Sequence, residues 1–449
     1  MSTQLETKLN PRFVTQAAAS VAASATSGLP GALVELRRAG AEQFALLGFP
    51  TTRDEDWHYT SVSPIAEGHY VAAVDGQPTQ SDVTLEQLAP YRLGGENWPT
   101  LVFVNGRLSP TLSSLDALPE GIRVLELARA AIDEPELLQR HLSMAAPVTR
   151  DGLTALNAAY IGEGSLIHIA QEMVSDTPVH LLHVVDRHGA ASMAHYRHVM
   201  IAERHAKASV IESFIALEDV QYFTNSVTEV YLEAGATLSI MAAQREARSA
   251  HHVRTVEARQ GRDSHFMSFV FQTGGALSRS NVYTVLAGEG CGTTLNGLCM
   301  IDGQQHGDHQ TRVEHVAPNC FSREMYKMLL DNASHGVFNG KVYVHPEAQK
   351  TDGKQTNNTL LLSDRAQIDT KPQLEIFADD VKCTHGATVG RIDEMARFYL
   401  LSRGIGTQLS RRLLTYAFAA DVLETIDNEP VKQALEDMTL QRFTGDLQS

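Results

Sequence analysis

Short runs of β-branched and aromatic residues, separated by Gly, Asn and Asp, fill the chain from about residue 165 to about residue 390. Four of these runs begin at Ala208, Ala236, Ser264 and Gly292, so that they recur every 28 residues. Strands that recur at about 20–50 residues are typical of solenoids and propellers. A propeller blade needs about 40 residues for four strands, whereas this repeat has room for two or three. The pattern therefore predicts a mainly β fold with a parallel β-helix (β-solenoid) core.

Upstream of the β-rich region, apolar residues follow helical spacing. Gly31–Leu47 predicts an amphipathic helix that ends at Gly48, and Ile132–Leu142 predicts another. Leu101–Val104 predicts a strand that enters a tight Asn-Gly turn. Within the β-rich region, Met325–Leu330 is the first segment with a helical spacing. We therefore expect a mostly helical N-terminal region over residues 1–150.

The C-terminal part returns to helical spacing after residue 390. Asp393 is placed to cap a helix, Gly404 and Gly406 to break it, and Pro430 to begin a last helix. Two short helices do not easily form a domain of their own, so we expect their apolar stripe to dock on another surface. The predicted organisation is a core over residues 151–390 and a helical region over 391–449.

Composition narrows the function classes. Lys and Arg number 37 against 53 Asp and Glu, a net charge of −16, which argues against a nucleic-acid or anionic-membrane surface. The N-terminus shows no secretory signal, and no apolar run approaches the ~20 residues that span a bilayer. The four cysteines form no CxxC pair. We expect a soluble, cytoplasmic protein with free thiols.

Cys383 and His385 are the first candidates for chemistry. They lie two residues apart in a β-like run, and residues i and i+2 of a strand share a face. A thiol and an imidazole suit a soft metal or an iron–sulfur species, but no third ligand lies nearby in sequence. A buried cysteine is more often an inert packing residue. Residue types alone leave both interpretations open.

Other motifs are weaker. His306, His309 and His315 form a histidine-rich stretch, but the first two would point to opposite faces of a strand, which favours a structural interpretation. Gly336–Val342 has three residues between its glycines where a phosphate-binding loop has four, and we expect a turn between strands there. Asp379 and Asp380 are adjacent and cannot form a carboxylate dyad on a strand. A carbohydrate-active β-helix enzyme remains the weaker alternative.

Phe338–Ile405 carries a distinctive order of motifs, FNGKV, TDGKQTNNTLLLS, ADDVKCTHGATVG and FYLLSRGI. This order closely resembles the SufD form of the SufB/SufD family of the SUF iron–sulfur cluster assembly system. Gly48–Thr60 (GFPTTRDEDWHYT) and Thr311–Ser322 (TRVEHVAPNCFS) resemble further family segments. The resemblance spans most of the chain and is strongest toward the C-terminus. The paralogous SufB-type subunit is the nearest alternative, and residues 1–31 match least.

The resemblance implies a right-handed parallel β-helix between helical ends, acting as a non-catalytic scaffold subunit. SufB would pair with the β-helix edge, and the ATPase SufC would bind the C-terminal helices. An iron–sulfur cluster would assemble transiently at the SufB interface, with His385 and Cys383 as candidate ligands completed by SufB, and none would be bound tightly to the isolated chain. The candidate SufC-binding residues are Tyr399, Leu400, Arg403, Gly404, Ile405, Leu409 and Leu413.

The resemblance also allows a homodimer when the chain is isolated. A self-associating β-solenoid without a metal-binding role is the remaining alternative.

Overall fold

The N-terminal part mixes helices with short strands. The computed structural model describes residues 10–24, 26–72, 81–93 and 97–444. The helices here are α1 (Pro11–Ser24), α2 (Gly31–Leu47), α3 (Ser63–Glu67), α4 (Leu85–Leu88), α5 (Leu127–Asp133), α6 (Pro135–His141) and α7 (Gly152–Ala159). The strands are β1 (Val71–Ala72), β2 (Thr100–Val104), β3 (Arg107–Leu108) and β4 (Ile122–Glu126). Strand β2 pairs with the central sheets, so this region is joined to the core by hydrogen bonds.

The predicted helix over Gly31–Leu47 is confirmed as α2, which buries Leu33 and Phe44. Gly48 ends it with a φ of 65°, a backbone conformation that glycine adopts without strain. The helical spacing predicted over Ile132–Leu142 is confirmed, but two helices, α5 and α6, meet there. Glu134 lies between them with a φ of −131°. The ring of Pro135 disfavours the helical conformation for the residue before it.

The predicted strand and turn at Leu101–Val104 are confirmed. Strands β2 and β3 form an antiparallel hairpin in which Val104 pairs with Arg107. Asn105 and Gly106 both have positive φ, 48° and 87°, which is the requirement of a two-residue hairpin turn of type I′.

The central strands coil into a β-solenoid of about eight turns, with two strands in each turn. The strands are β5 (Glu163–Ile169), β6 (Val179–Val185), β7 (Ser192–Ala202), β8 (Lys207–Ala216), β9 (Phe223–Leu232), β10 (Thr237–Arg245), β11 (His251–Gln260), β12 (His265–Gln272), β13 (Leu277–Leu286), β14 (Gly292–Ile301), β15 (His306–His315), β16 (Phe321–Leu330), β17 (His335–Val344), β18 (Asp352–Leu361), β19 (Gln367–Ile376) and β20 (Lys382–Gly390). The odd-numbered strands from β5 onward form sheet 1, and the even-numbered strands from β6 onward form sheet 2. The predicted fold class is therefore confirmed, while the right-handed sense and the division at residues 150 and 390 stay predictions.

The repeat is close to the predicted length but is not constant. His265 pairs with Gly292, an offset of 27 residues, whereas Phe321 pairs with Asp352, an offset of 31. The predicted frame is wrong at Ala208, whose ladder partner is Leu238 rather than Ala236. Loops between the strands differ in length, so the repeat in the sequence follows the turns of the solenoid without fixing the register of its strands.

Two local expectations are wrong. Met325–Leu330 belongs to strand β16, where Tyr326 faces the interior and Lys327 contacts the C-terminal helices; a strand buried on both faces has no clean alternation. Gly336–Val342 lies inside strand β17 and not in a turn. Its glycines leave room for neighbouring side chains, since a Cβ on Gly340 would lie 2.3 Å from Nε2 of Gln355.

The core lies between the two sheets and is lined mostly by aliphatic and aromatic side chains. Three helices follow the solenoid, α8 (Glu394–Ser402), α9 (Thr407–Leu423) and α10 (Glu429–Thr444), and the last two cover the outer face of sheet 2. Val422 and Leu435 of these helices are buried with Phe269 and Leu329 of sheet 2. Thus α9 and α10 are held by packing on the solenoid. Among the described residues, no helix has both the length and the apolar character needed to cross a membrane.

The predicted helix signals of the C-terminal part are confirmed. Oδ1 of Asp393 accepts hydrogen bonds from the backbone N–H groups of Met395 and Ala396, at 2.8 and 3.3 Å, and so caps α8. Gly404, with a φ of 82°, lies in the break between α8 and α9.

Candidate functional site

One end of the solenoid exposes the last strand of each sheet. Strand β19 ends sheet 1 and β20 ends sheet 2, and neither has a second strand neighbour within the described parts of the chain. An open strand edge presents unpaired backbone N–H and C=O groups and invites another strand to pair with it. We call this surface, formed by β19 and β20, the open end.

Cys383 and His385 lie on β20 at the open end. In the ladder they pair with Gly353 and Gln355 of β18, both of which are buried in the solenoid. The two side chains therefore continue the interior face of sheet 2 at the point where no further turn covers it. Cys383 is half-buried against the core, whereas His385 is exposed.

Cys383 and His385 differ in how available they are as metal ligands. Burial raises the pKa of the Cys383 thiol, although a backbone hydrogen bond at Gly353 partly opposes this. A neutral thiol is a poor metal ligand compared with a thiolate. Among the described residues there is no group of three or more His, Cys, Asp or Glu side chains suited to hold a metal ion. The open end thus offers two potential ligands, of which His385 is the more accessible.

The structure does not bring the other histidines into one site. His306 faces outward, where its Nε2 lies 2.9 Å from Oγ1 of Thr60, and burial lowers its pKa to about 4. His309 and His315 face the interior, and Nε2 of His315 lies 3.0 Å from Oγ of Ser322. Since His306 is separated from the other two by the sheet, the structural interpretation accounts for the arrangement.

The segment Gly48–Thr60 holds the N-terminal part onto sheet 1. The guanidinium of Arg279 lies 3.6 Å from the ring centroid of Trp57, and its Nη1 lies 2.8 Å from Oδ2 of Asp308. Thr60 donates a hydrogen bond to the same carboxylate oxygen at 2.6 Å. These buried contacts give the segment a structural role that the sequence alone did not identify.

Helix α8 presents a large apolar surface to solvent. None of its residues is buried, and Met395 and Phe398 are 75% and 67% exposed. The predicted partner-binding residues lie on the same helix and the start of α9: Tyr399, Arg403, Gly404, Leu409 and Leu413 are exposed, and Leu400 and Ile405 are half-buried. An apolar patch of this kind marks an interaction surface on a protein. Met395 and Phe398 extend the predicted set.

Two family models cover most of the chain. Residues 183–418 match the core domain described as SUF system FeS cluster assembly, SufBD core domain, and residues 15–181 match the SufBD protein N-terminal region. The chain belongs to the SufBD family.

Relatives within the SufBD family match along nearly their full length. The iron-sulfur cluster assembly protein SufD of Escherichia coli (strain K12) is 35% identical over 411 residues, covering 90% of this chain and 92% of the relative. SufD of Bacillus subtilis (strain 168) is 26% identical, with 90% and 93% covered. Protein ABCI7, chloroplastic, of Arabidopsis thaliana is 26% identical, with 96% and 91% covered. These matches confirm the resemblance to the SufD form.

Membership of the SufBD family assigns the chain to iron–sulfur cluster assembly. Both family segments contain elements that shape the surfaces described above, because the core match includes β20 and α8 and the N-terminal match includes Trp57.

Proposed function

We propose that this chain is a non-catalytic, SufD-type scaffold subunit of a cytoplasmic SufBCD complex. In this proposal the open end pairs with a SufB-type subunit, and the α8 surface binds a SufC-type ATPase. The observation that carries the proposal is the position of His385 and Cys383 on a strand edge that has no strand neighbour within the described ranges. A second copy of the chain is the alternative occupant of this end.

The open end supplies an incomplete ligand set for a cluster that is cargo and not a resident cofactor. An imidazole and a thiol are borderline and soft ligands, which suit iron bound to sulfide. Because they lie at the edge and not within the solenoid, the remaining ligands have to come from the subunit that pairs there. The complete ligand set then exists only in the assembled complex, so a cluster forms only when both subunits are present.

The proposal is tested by co-expression of the chain with SufB-type and SufC-type subunits. We expect a stable complex of the three proteins that forms a cluster when supplied with ferrous iron and sulfide. A chain that remains a homodimer and forms no complex in the presence of both subunits would contradict the proposal.

We predict that the double variant Phe398→Glu with Tyr399→Glu loses binding to the SufC-type ATPase. Aromatic residues dominate the affinity of many interfaces, and removing such an anchor costs about 2 kcal/mol or more, which is about 30-fold in Kd. The measurement is titration of the purified ATPase into the chain. Leu46→Glu is the matched control, because Leu46 is also exposed but lies on α2. Equal affinity of the double variant and the control would reject α8 as the docking surface.

ATP-driven closure of the ATPase subunits would apply a load to α8 and thereby rearrange the open end. A ligand shifts such an equilibrium only through different affinities for the two states. We expect cross-links between β20 and the SufB-type edge to differ in yield with and without ATP. Identical cross-linking patterns in both conditions would rule out the rearrangement while leaving the pairing itself intact.

A further inference from the structure

A column of polar side chains inside the solenoid leads to His385. Glu324 of β16 pairs with Gln355 of β18, and Gln355 pairs with His385 of β20. The first two residues are buried, and His385 is the exposed end of the column. Since neighbouring strands are about 4.8 Å apart, side chains at paired positions on one face lie side by side.

The amide of Gln355 has a fixed orientation. Its Nε2 donates a hydrogen bond to Oε1 of Glu324 at 3.1 Å, and Oε2 of Glu324 accepts one from Oγ1 of Thr311 at 2.5 Å. Gly340 leaves the space for this amide, since a Cβ there would lie 2.8 Å from Cδ of Gln355. With Nε2 directed at the carboxyl group, Oε1 is the atom of Gln355 that remains to be satisfied.

Oε1 of Gln355 is buried and has no hydrogen-bond partner among the described residues. An unsatisfied buried carbonyl oxygen is unfavourable, and such atoms in native proteins call for an explanation. The imidazole of His385 is the side chain at the paired position in the next strand. Because paired side chains on one face are neighbours, this imidazole is the candidate donor of an N–H to the oxygen.

We propose that Gln355 is a positioning residue that accepts a hydrogen bond from one ring N–H of His385. This bond fixes the tautomer of the neutral imidazole and leaves the other ring nitrogen available as a ligand. Histidine ligands commonly donate their second N–H to such an acceptor, which orients the ring. The use of that nitrogen for iron rests on the proposed function above, whereas the hydrogen bond itself does not.

The test uses the full chain with ¹⁵N-labelled histidine, observed by NMR in mildly alkaline buffer. The spectrum of His385→Ala assigns the His385 signals among the 19 histidines. We expect one tautomer to dominate in the natural chain and a shift toward a mixture in Gln355→Met, which keeps the length of the side chain and removes its amide. Gln355→Asn, with the amide withdrawn by one methylene, is expected to shift the signals in the same direction.

Gln272→Met is the matched control. Gln272 is also a buried glutamine of sheet 2 with an unsatisfied Oε1, but it pairs with Cys299 in a different column. We expect the His385 signals of this variant to match those of the natural chain. Unchanged tautomer populations in Gln355→Met, or an equal change in Gln272→Met, would overturn the proposal.

The hydrogen bond and the proposed function fail separately. The NMR comparison needs no partner subunit, so it decides the hydrogen bond even if the chain does not form a SufBCD complex. If the tautomer changes in Gln355→Met but the cluster yield of the assembled complex does not, the hydrogen bond stands and the ligand role of His385 is contradicted.

Discussion

Arg254→Met is expected to lower the free energy of unfolding by about 3–5 kcal/mol, the range found when one partner of a buried ion pair is removed. Arg254 of β11 and Glu212 of β8 are 1% and 0% exposed, and they join the two sheets across the interior. Nε of Arg254 lies 2.7 Å from Oε2 of Glu212, and Thr228 donates to the other carboxylate oxygen at 2.8 Å. Methionine fills a similar volume but leaves the carboxylate without its cation. Urea denaturation of the purified chain measures the difference.

The loss in Arg254→Met should depend on pH. Burial raises the pKa of Glu212, but the charges of Arg254 and His198 together with the hydrogen bonds outweigh it and hold that pKa below its usual value. A lowered pKa contributes stability above the pKa of the unfolded chain, and this contribution is lost as the pH falls through the lowered pKa of the folded chain. The difference between variant and natural chain should therefore be largest near neutral pH and shrink on acidification.

Two controls separate the buried pair from the loss of a charge as such. Arg262→Met removes an arginine whose contact with Asp263 is exposed, and we expect no measurable change in stability. The double variant Arg254→Met with Glu212→Leu removes both buried charges and should recover part of the stability. A loss in Arg254→Met no greater than in Arg262→Met would show that the pair does not hold the sheets together.

The fold could be predicted from the sequence because each turn of the solenoid repeats the same strand and turn chemistry. The register could not, because loops of different length shift the pairing between 26 and 33 residues. Met325–Leu330 was misread as helical since its strand is buried on both faces, against the interior and against α9. The polar interior residues Glu212 and Arg254 carry no local signal, because their partners lie on different sheets.

The candidate site, like the fold, could be predicted only in part from the sequence. The shared face of Cys383 and His385 follows from the two-residue period of a strand. Their different exposure to solvent does not follow from that period, because it arises where the solenoid ends. Gln355 was missed because recognising it requires the register between β18 and β20 and the hydrogen bond to Glu324. The exposed aromatic residues of α8 resemble core residues in sequence, and only the packing of α9 and α10 shows that α8 stays uncovered.

His385→Ala is expected to lower the cluster yield of the reconstituted SufBCD complex about tenfold or more, while the complex itself still assembles. The imidazole is exposed, so its removal leaves no cavity in the core. The loss reflects a missing ligand or a missing orienting group at the open end, for which about 10- to 100-fold effects are typical. The measurement is the absorbance and the iron and sulfide content of the complex after reconstitution.

Variants at two neighbouring residues serve as comparisons for His385→Ala. Thr384→Ala changes an exposed residue of the same strand on the opposite face, and its cluster yield should equal that of the natural chain. Cys383→Ala should reduce the yield less than His385→Ala, because the Cys383 thiol is half-buried and burial raises its pKa. A His385→Ala chain that no longer binds the SufB-type subunit would instead assign His385 to docking. A complex with the full cluster yield would remove His385 from the ligand set.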